Sequence, residues 1–444
     1  MCNGTIMDKL ISFSIPLMLS GILQLMFNAV DIVVVGRFSG SQALAAVGST
    51  TALINVFTNL FIGISLGANV LAARYYAAGK TKEMSETVHT AIALALVSGV
   101  AMAVIGVVFA RGALEIMGTP DDVIAKSTLY MRIYFCGMPF FMMYNYGAAI
   151  LRAVGDTKRP LIFLIVSGVI NAVLNLFLVI AFHLDVAGVG IATVISQLVS
   201  CILVLRCLHH TESSYQLHLA KLRIRSVYLK QIFEVGVPAG IQSTVINISN
   251  AMLQSSVNSF GSIAMAGYTA ANNIFGFLYV TVNAVTQACM SFTSQNYGVG
   301  KWKRMDRVLI DCLILSFVAM MILGNSAYFF GPKLLTIYTS NSKVIQCGME
   351  ILLYTTVTYF LCGFMDLFPG ALRGMGRSGV PMILSIIGTV GTRIVWIFWI
   401  FPNHRSLDIL FISYPASWII TIVLQVICYY FVRKQLYAKM RAEA

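Results

Sequence analysis

One carboxylate, Asp31, stands in the apolar stretch MFNAVDIVVVGRFSG at residues 26–40, and a charge in such surroundings needs a reason. Carrying it into the hydrocarbon zone costs roughly 2.5–3.5 kcal/mol unless it is protonated, paired or wet, so such a group is suited to bind a cation or a proton. The alternative is a place near the outer helix end, where it reaches interfacial water or Arg37. Amides accompany it in stripes. Gln24, Asn28 and Asp31 are spaced i, i+4, i+7 on one helical face, and Ser167, Asn171 and Asn175 recur at every fourth residue. Ser243, Asn247, Asn250, Gln254 and Asn258 form a third stripe. Such stripes either bond helices together or line a wet cavity. Asp366 and Arg393 are further charges in apolar runs. Asp366 stands seven residues before Arg373; Arg393, counted from Pro381, falls near mid-membrane and suits a lipid phosphate, a cargo anion or a carboxylate.

The elements that must hold these residues follow from composition. Of 444 residues, 58% are hydrophobic and 11% charged, more apolar surface than a soluble core can hide. Apolar runs of spanning length recur at about 10–35, 50–73, 88–110, 127–150, 160–183, 186–207, 231–259, 268–294, 308–331, 346–370, 380–401 and 408–432. They exceed strand length and lack period-two alternation, so the expectation is an all-α polytopic membrane protein with twelve transmembrane helices. Twenty-two Lys and Arg fall on one side; six, Arg37, Arg111, Lys126, Lys333, Lys343 and Arg405, fall on the other. That split places both termini in the cytoplasm. The net charge of +13 then reflects topology and anionic lipid, with no nucleic acid as partner.

The chain is also a duplication. YAAGKTKEM at 76–84 answers YGVGKWKRM at 297–305, and LRAVGDTKRP at 151–160 answers LRGMGRSGVP at 372–381, both offset by 221. Around Pro16 and Pro238 the offset becomes 222, which sets Asn28 against Asn250. The expected organisation is an N-terminal six-helix lobe (1–208), a cytoplasmic linker (209–230) and a C-terminal six-helix lobe (231–444), related by pseudo-two-fold symmetry with a cavity between them.

Other chemistry is absent from the pattern. The nine cysteines form no CxxC pair and the six histidines no HExxH, so no metal, disulfide or cofactor is expected. No GxxxxGK[ST] occurs, so ATP is not the direct energy source. The first apolar run is too long for a signal-peptide core and reads as a retained helix.

FNAVDIVVVGRFSGSQALAAVG, the paired Y-x-x-G-K and L-R-x-x-G loops and the twelve spans in two halves resemble the multidrug and toxic compound extrusion (MATE) family over nearly the whole chain. The resemblance implies a cation site in the first lobe, carried onto Asp31, Asn171, Asn175 and Thr193, with Na⁺ or H⁺ as coupling ion. Two departures matter: some members put a second carboxylate where Asn175 stands, and some a glutamate near Asn247. The second-half positions matching Asp31, Asn171, Asn175 and Thr193 are Leu253, Thr392, Trp396 and Tyr414, so the site is not duplicated. The resemblance also implies a monomeric antiporter in a prokaryotic plasma membrane, exporting amphipathic, often cationic organic compounds by alternating access. Gln24, Asn28, Asn247, Asn250, Gln254, Asp366 and Arg393 are candidates to line the cavity. GMPFFMMYNYG adds Met138, Met142 and Tyr144 as an adaptable cargo surface, or as ordinary helix packing. A flippase for lipid-linked saccharides is the nearest alternative, supported by Arg393 and Arg132. A membrane-embedded enzyme is the other, and it lacks clustered acids, bases or metal ligands.

Overall fold

The computed structural model describes residues 1–443; Ala444, the last residue of the expected second lobe, lies outside the described residues. So do the side chains of Ser41, Ala52 and residues 439–443, Lys439 and Arg441 of the basic set expected to face the cytoplasm among them. The first half comprises α1 (Met7–Phe38), α2 (Gly40–Ala77), α3 (Thr81–Ile116), α4 in two segments (Asp121–Cys136 and Met138–Ala153), α5 (Lys158–Leu176, continued by a π-helical turn Phe177–Ala181) and α6 (Asp185–His209). The second comprises α7 (Ser226–Asn258), α8 (Ser262–Gly298), α9 (Trp302–Phe329) and α10 in two segments (Ser342–Thr356 and Tyr359–Gly374). It closes with α11 (Gly379–Ser385, Ile386–Gly391, Thr392–Val395 and Trp396–Ile400, its second and fourth parts π-helical) and α12 (Leu407–Glu443).

Among the described residues nine helices are individually long and apolar enough to cross a membrane, and the two parts of α10, bent by 44°, make a tenth. The remaining two of the twelve are α4 and α7. The first is broken at Gly137, just ahead of Pro139, whose ring removes a backbone donor; the polar stripe of α7 dilutes its hydropathy. Outward faces are apolar, as along α3 at Val104, Val108, Phe109 and Ile116, all more than half exposed, which is what lipid contact requires.

The duplicated loops have one backbone form. Gly79 and Gly300, the glycines of Y-x-x-G-K, take φ of +66° and +69°, and Gly155 and Gly376 of L-R-x-x-G take +100° and +82°. These left-handed positions end helices at no Cβ cost. Lys80 N–H returns to Tyr75 O at 3.1 Å and Lys301 N–H to Asn296 O at 2.9 Å, closing the two turns alike.

The chain packs as two compact units, Ile15–Gly240 and Met1–Ser14 with Ile241–Ala444. The division falls inside α1 and α7 beside Pro16 and Pro238, helix-interior prolines that interrupt the hydrogen-bond ladder. Within Ile15–Gly240, α2 and the first half of α7 touch backbone to backbone. A Cβ on Gly236 would stand 2.5 Å from Ile64 Cα, and Gly63, Gly67 and Gly240 are equally filled by the opposite helix. Small residues four apart on both helices allow that approach. The linker lies against the same unit: Tyr215 and Leu217 are buried, His209 Nδ1 is 2.9 Å from Leu217 O, and the His218 N–H donates to His89 Nε2 at 3.1 Å. Glu86 pairs with Arg223 and Arg225.

Candidate functional site

The site around Asp31 is assembled by α1 and α5. The ring of Phe27 occupies the space that a Cβ on Gly168 would fill, which sets the two helices in register. One turn beyond Phe27, the Asp31 carboxylate accepts a hydrogen bond from Asn175 Nδ2. The same amide nitrogen is 3.2 Å from Asn171 Oδ1. Ser167, Asn171 and Asn175 are buried, Asp31 is half-buried, and Gln24 and Asn28 are exposed. Asn175 Oδ1 is buried without a hydrogen-bond partner. An orphaned carbonyl oxygen beside a carboxylate is a donor set for a hard cation, and the carboxylate alone serves a proton. The Thr193 hydroxyl bonds back to Val189 O at 2.9 Å on its own helix. Thus the structure brings Asp31, Asn171 and Asn175 together, while the bond it gives Thr193 stays within α6. The π-helical turn begins two residues after Asn175.

In the second half Arg393 is buried in α11 and donates from Nη1 to Asn250 Oδ1 at 2.6 Å. Its Cζ lies 4.7 Å from the ring centroid of Tyr414. Asn247 and Gln254 are exposed and Asn250 half-buried. Asp366 is half-buried, within electrostatic reach of Arg373 and Tyr279, and Arg373 itself donates to Gln242 Oε1 at 2.6 Å. Met138 and Met142 are wholly enclosed in the core around Phe135 and Tyr146, which is the packing alternative for that stretch. Tyr144, half-buried, donates its hydroxyl to Pro160 O at 3.1 Å. Arg132 is exposed and donates to Val107 O at 3.1 Å.

Residues the motifs did not single out complete these surroundings. Tyr130 and Tyr134, one turn apart on α4, lie within electrostatic reach of Asp31. Their i, i+4 spacing was the available signal, masked because aromatic pairs at that spacing usually pack. Gln242 and Tyr268 had no pattern pointing to them, and Tyr414, met in the sequence only as the repeat counterpart of Thr193, sets its hydroxyl 2.9 Å from that of Tyr268.

Comparison with known proteins agrees with this architecture. The MatE family model matches twice, over residues 16–177 and 238–399. The chain is 29% identical over 432 residues to the "Probable multidrug resistance protein YoeA" of Bacillus subtilis, covering 95% of this chain and 93% of that protein. It is 21% identical over 390 residues to the "Multidrug export protein MepA" of Staphylococcus aureus, covering 87% and 85%. A solved structure described as the outward-facing conformation of a multidrug resistance MATE family transporter of the MOP superfamily is similar at a TM-score of 0.90 and 20% identity, covering 99% and 97%. That likeness speaks for the twelve-helix fold. With the family model accounting for most of both halves, the chain belongs to the MatE family, whose members are membrane transporters and not enzymes.

Proposed function

We propose that this protein exports amphipathic, often cationic organic compounds across a bacterial plasma membrane in exchange for Na⁺ or H⁺, by alternating access. Asp31 is the coupling group in this reading, with Asn171, Asn175 and Thr193 as its partners. The observation that carries it is the Asp31–Asn175 contact with the Asn175 carbonyl left unpartnered. A bound cation would take both oxygens; a proton would remove the charge that the amide nitrogen holds. Either changes the balance between two states, because an ion drives transport only through its different affinity for them. The names of YoeA and MepA, a probable multidrug resistance protein and a multidrug export protein, support export of varied compounds.

The test is efflux of ethidium from proteoliposomes with Na⁺ and H⁺ gradients set independently. Wild type should respond to one of them, and Asp31→Asn, equal in amount, should fall to background while still binding ethidium. Wild-type rates with unchanged ion dependence in the mutant would remove Asp31 from the mechanism.

A further inference from the structure

Arg393 is a charge without a counter-charge. It is 3% exposed and enters no ion pair among the described residues. Its Nε is buried with no hydrogen-bond partner. An amide oxygen and an aromatic ring orient a guanidinium, but neither cancels its charge, and an unpaired buried charge is among the most costly groups a protein can hold. Among the in-span carboxylates of the same unit, Asp366 stands near Arg373 and Tyr279, Asp311 pairs with Arg307, and Glu350 lies with Asp408.

The surroundings are shaped for access. Asn250 is half-buried between exposed Asn247 and Gln254, so the guanidinium lies one side chain behind a polar face. Arg393 sits in the four-residue stretch Thr392–Val395 between two π-helical turns, wide turns that gather at functional positions. The two family-model matches are offset by 222 at both ends. Arg393 directly follows Thr392, the counterpart of Asn171, and Asn250 answers Asn28. The second half thus carries a positive charge next to the place where the first half carries the Asn171 amide.

We propose that Arg393, with Asn250 as its displaceable cover, is a receptor for the oxyanion (carboxylate or phosphate) of an amphipathic molecule. The guanidinium fork matches either group through paired N–H donors. The proposal rests on the transporter reading and widens its cargo from cations to anionic and zwitterionic compounds.

The experiment measures binding of pyrenebutyrate, a fluorescent amphipathic carboxylate, to purified protein in phosphatidylcholine liposomes, with ethidium export run in parallel. Arg393→Gln, with its thermal midpoint checked against wild type, should weaken pyrenebutyrate binding about tenfold or more; Arg393→Lys should lose less. Asn250→Ala, which frees the Nη1 donor, should bind pyrenebutyrate more tightly than wild type. A second arm measures phosphatidylglycerol retained on purification from mixed-lipid membranes. Retention that depends on Arg393, without pyrenebutyrate binding, assigns the oxyanion to a lipid headgroup. The proposal is overturned if folded Arg393→Gln changes neither probe, or if folded Asn250→Ala binds pyrenebutyrate more weakly. Loss of ethidium export in wild type would count against the efflux reading alone.

Discussion

Asn175 is the residue on which the proposed cation site turns, because its amide bonds to both Asp31 and Asn171. Asn175→Ala removes the donor to the carboxylate and the orphaned oxygen together. A hydrogen bond to a charged group is worth about 1.5–3 kcal/mol, so the coupling-ion concentration for half-maximal efflux should rise about tenfold or more. Thr193→Val should shift it less, since that hydroxyl already bonds within its own helix. An ion titration of efflux at matched protein amounts separates the two, and equal shifts would contradict the geometry. A second residue-scale expectation concerns His218. Burial first, then Lys221, His89 and His209, hold its imidazole below the ordinary value of 6.5. The undocked chain therefore binds more protons below that value, so docking is complete above it and weakens as the pH falls. Hydrogen-exchange protection at residues 215–223, each rate taken relative to the intrinsic rate at its own pH, should be greater at pH about 7.5 than at about 5.5, and equal protection would count against it.

At the scale of elements, the α2–α7 crossing is the place where sequence leaves least room. Gly63 and Gly67 face Gly236 and Gly240, and each Cβ position is already filled by the opposite helix. Gly240→Leu should cost about 1–3 kcal/mol or more through overpacking and lower the thermal midpoint of the purified protein. Gly112→Ala on α3, with nothing near its Cβ position, should be neutral or stabilising by up to about 1 kcal/mol as a glycine-to-alanine change in a helix. If both variants melt like wild type, the close crossing is not what holds these helices. The break in α4 at Gly137 has the same logic. A side chain there would meet Val194 and Gln197, so the helix is interrupted where a larger residue would have to displace the Gln197 amide.

For the whole molecule, orientation is the testable property. Twenty-two basic residues against six predict that both termini and the 209–230 linker face the cytoplasm. In a cysteine-free background Ser213→Cys should resist a membrane-impermeant thiol reagent applied to intact cells, and Asn403→Cys should react. Both positions are exposed, so burial will not mimic topology. The reverse pattern would invert the orientation and, with it, the direction of export.

Periodicity, charge and repetition are local or summed properties, and these were legible in the chain itself: the helical class, the span count, the doubled half and the paired glycine turns all follow from hydrocarbon thickness and backbone sterics. The i, i+4 spacing put Asn171 and Asn175 on one face. Whether that face met Asp31 or lipid depended on Phe27 filling the notch at Gly168, a contact between helices 141 positions apart. Tertiary packing also enclosed Met138 and Met142 in the core, because a methionine fits a cavity wall and a close-packed interior equally well by type. It divided the chain within α1 and α7, although the polar linker was the visible seam. And it left Arg393 with an amide and a ring for company, since which partner a buried charge finds is set by where distant helices bring their side chains, a matter on which one-dimensional spacing is silent.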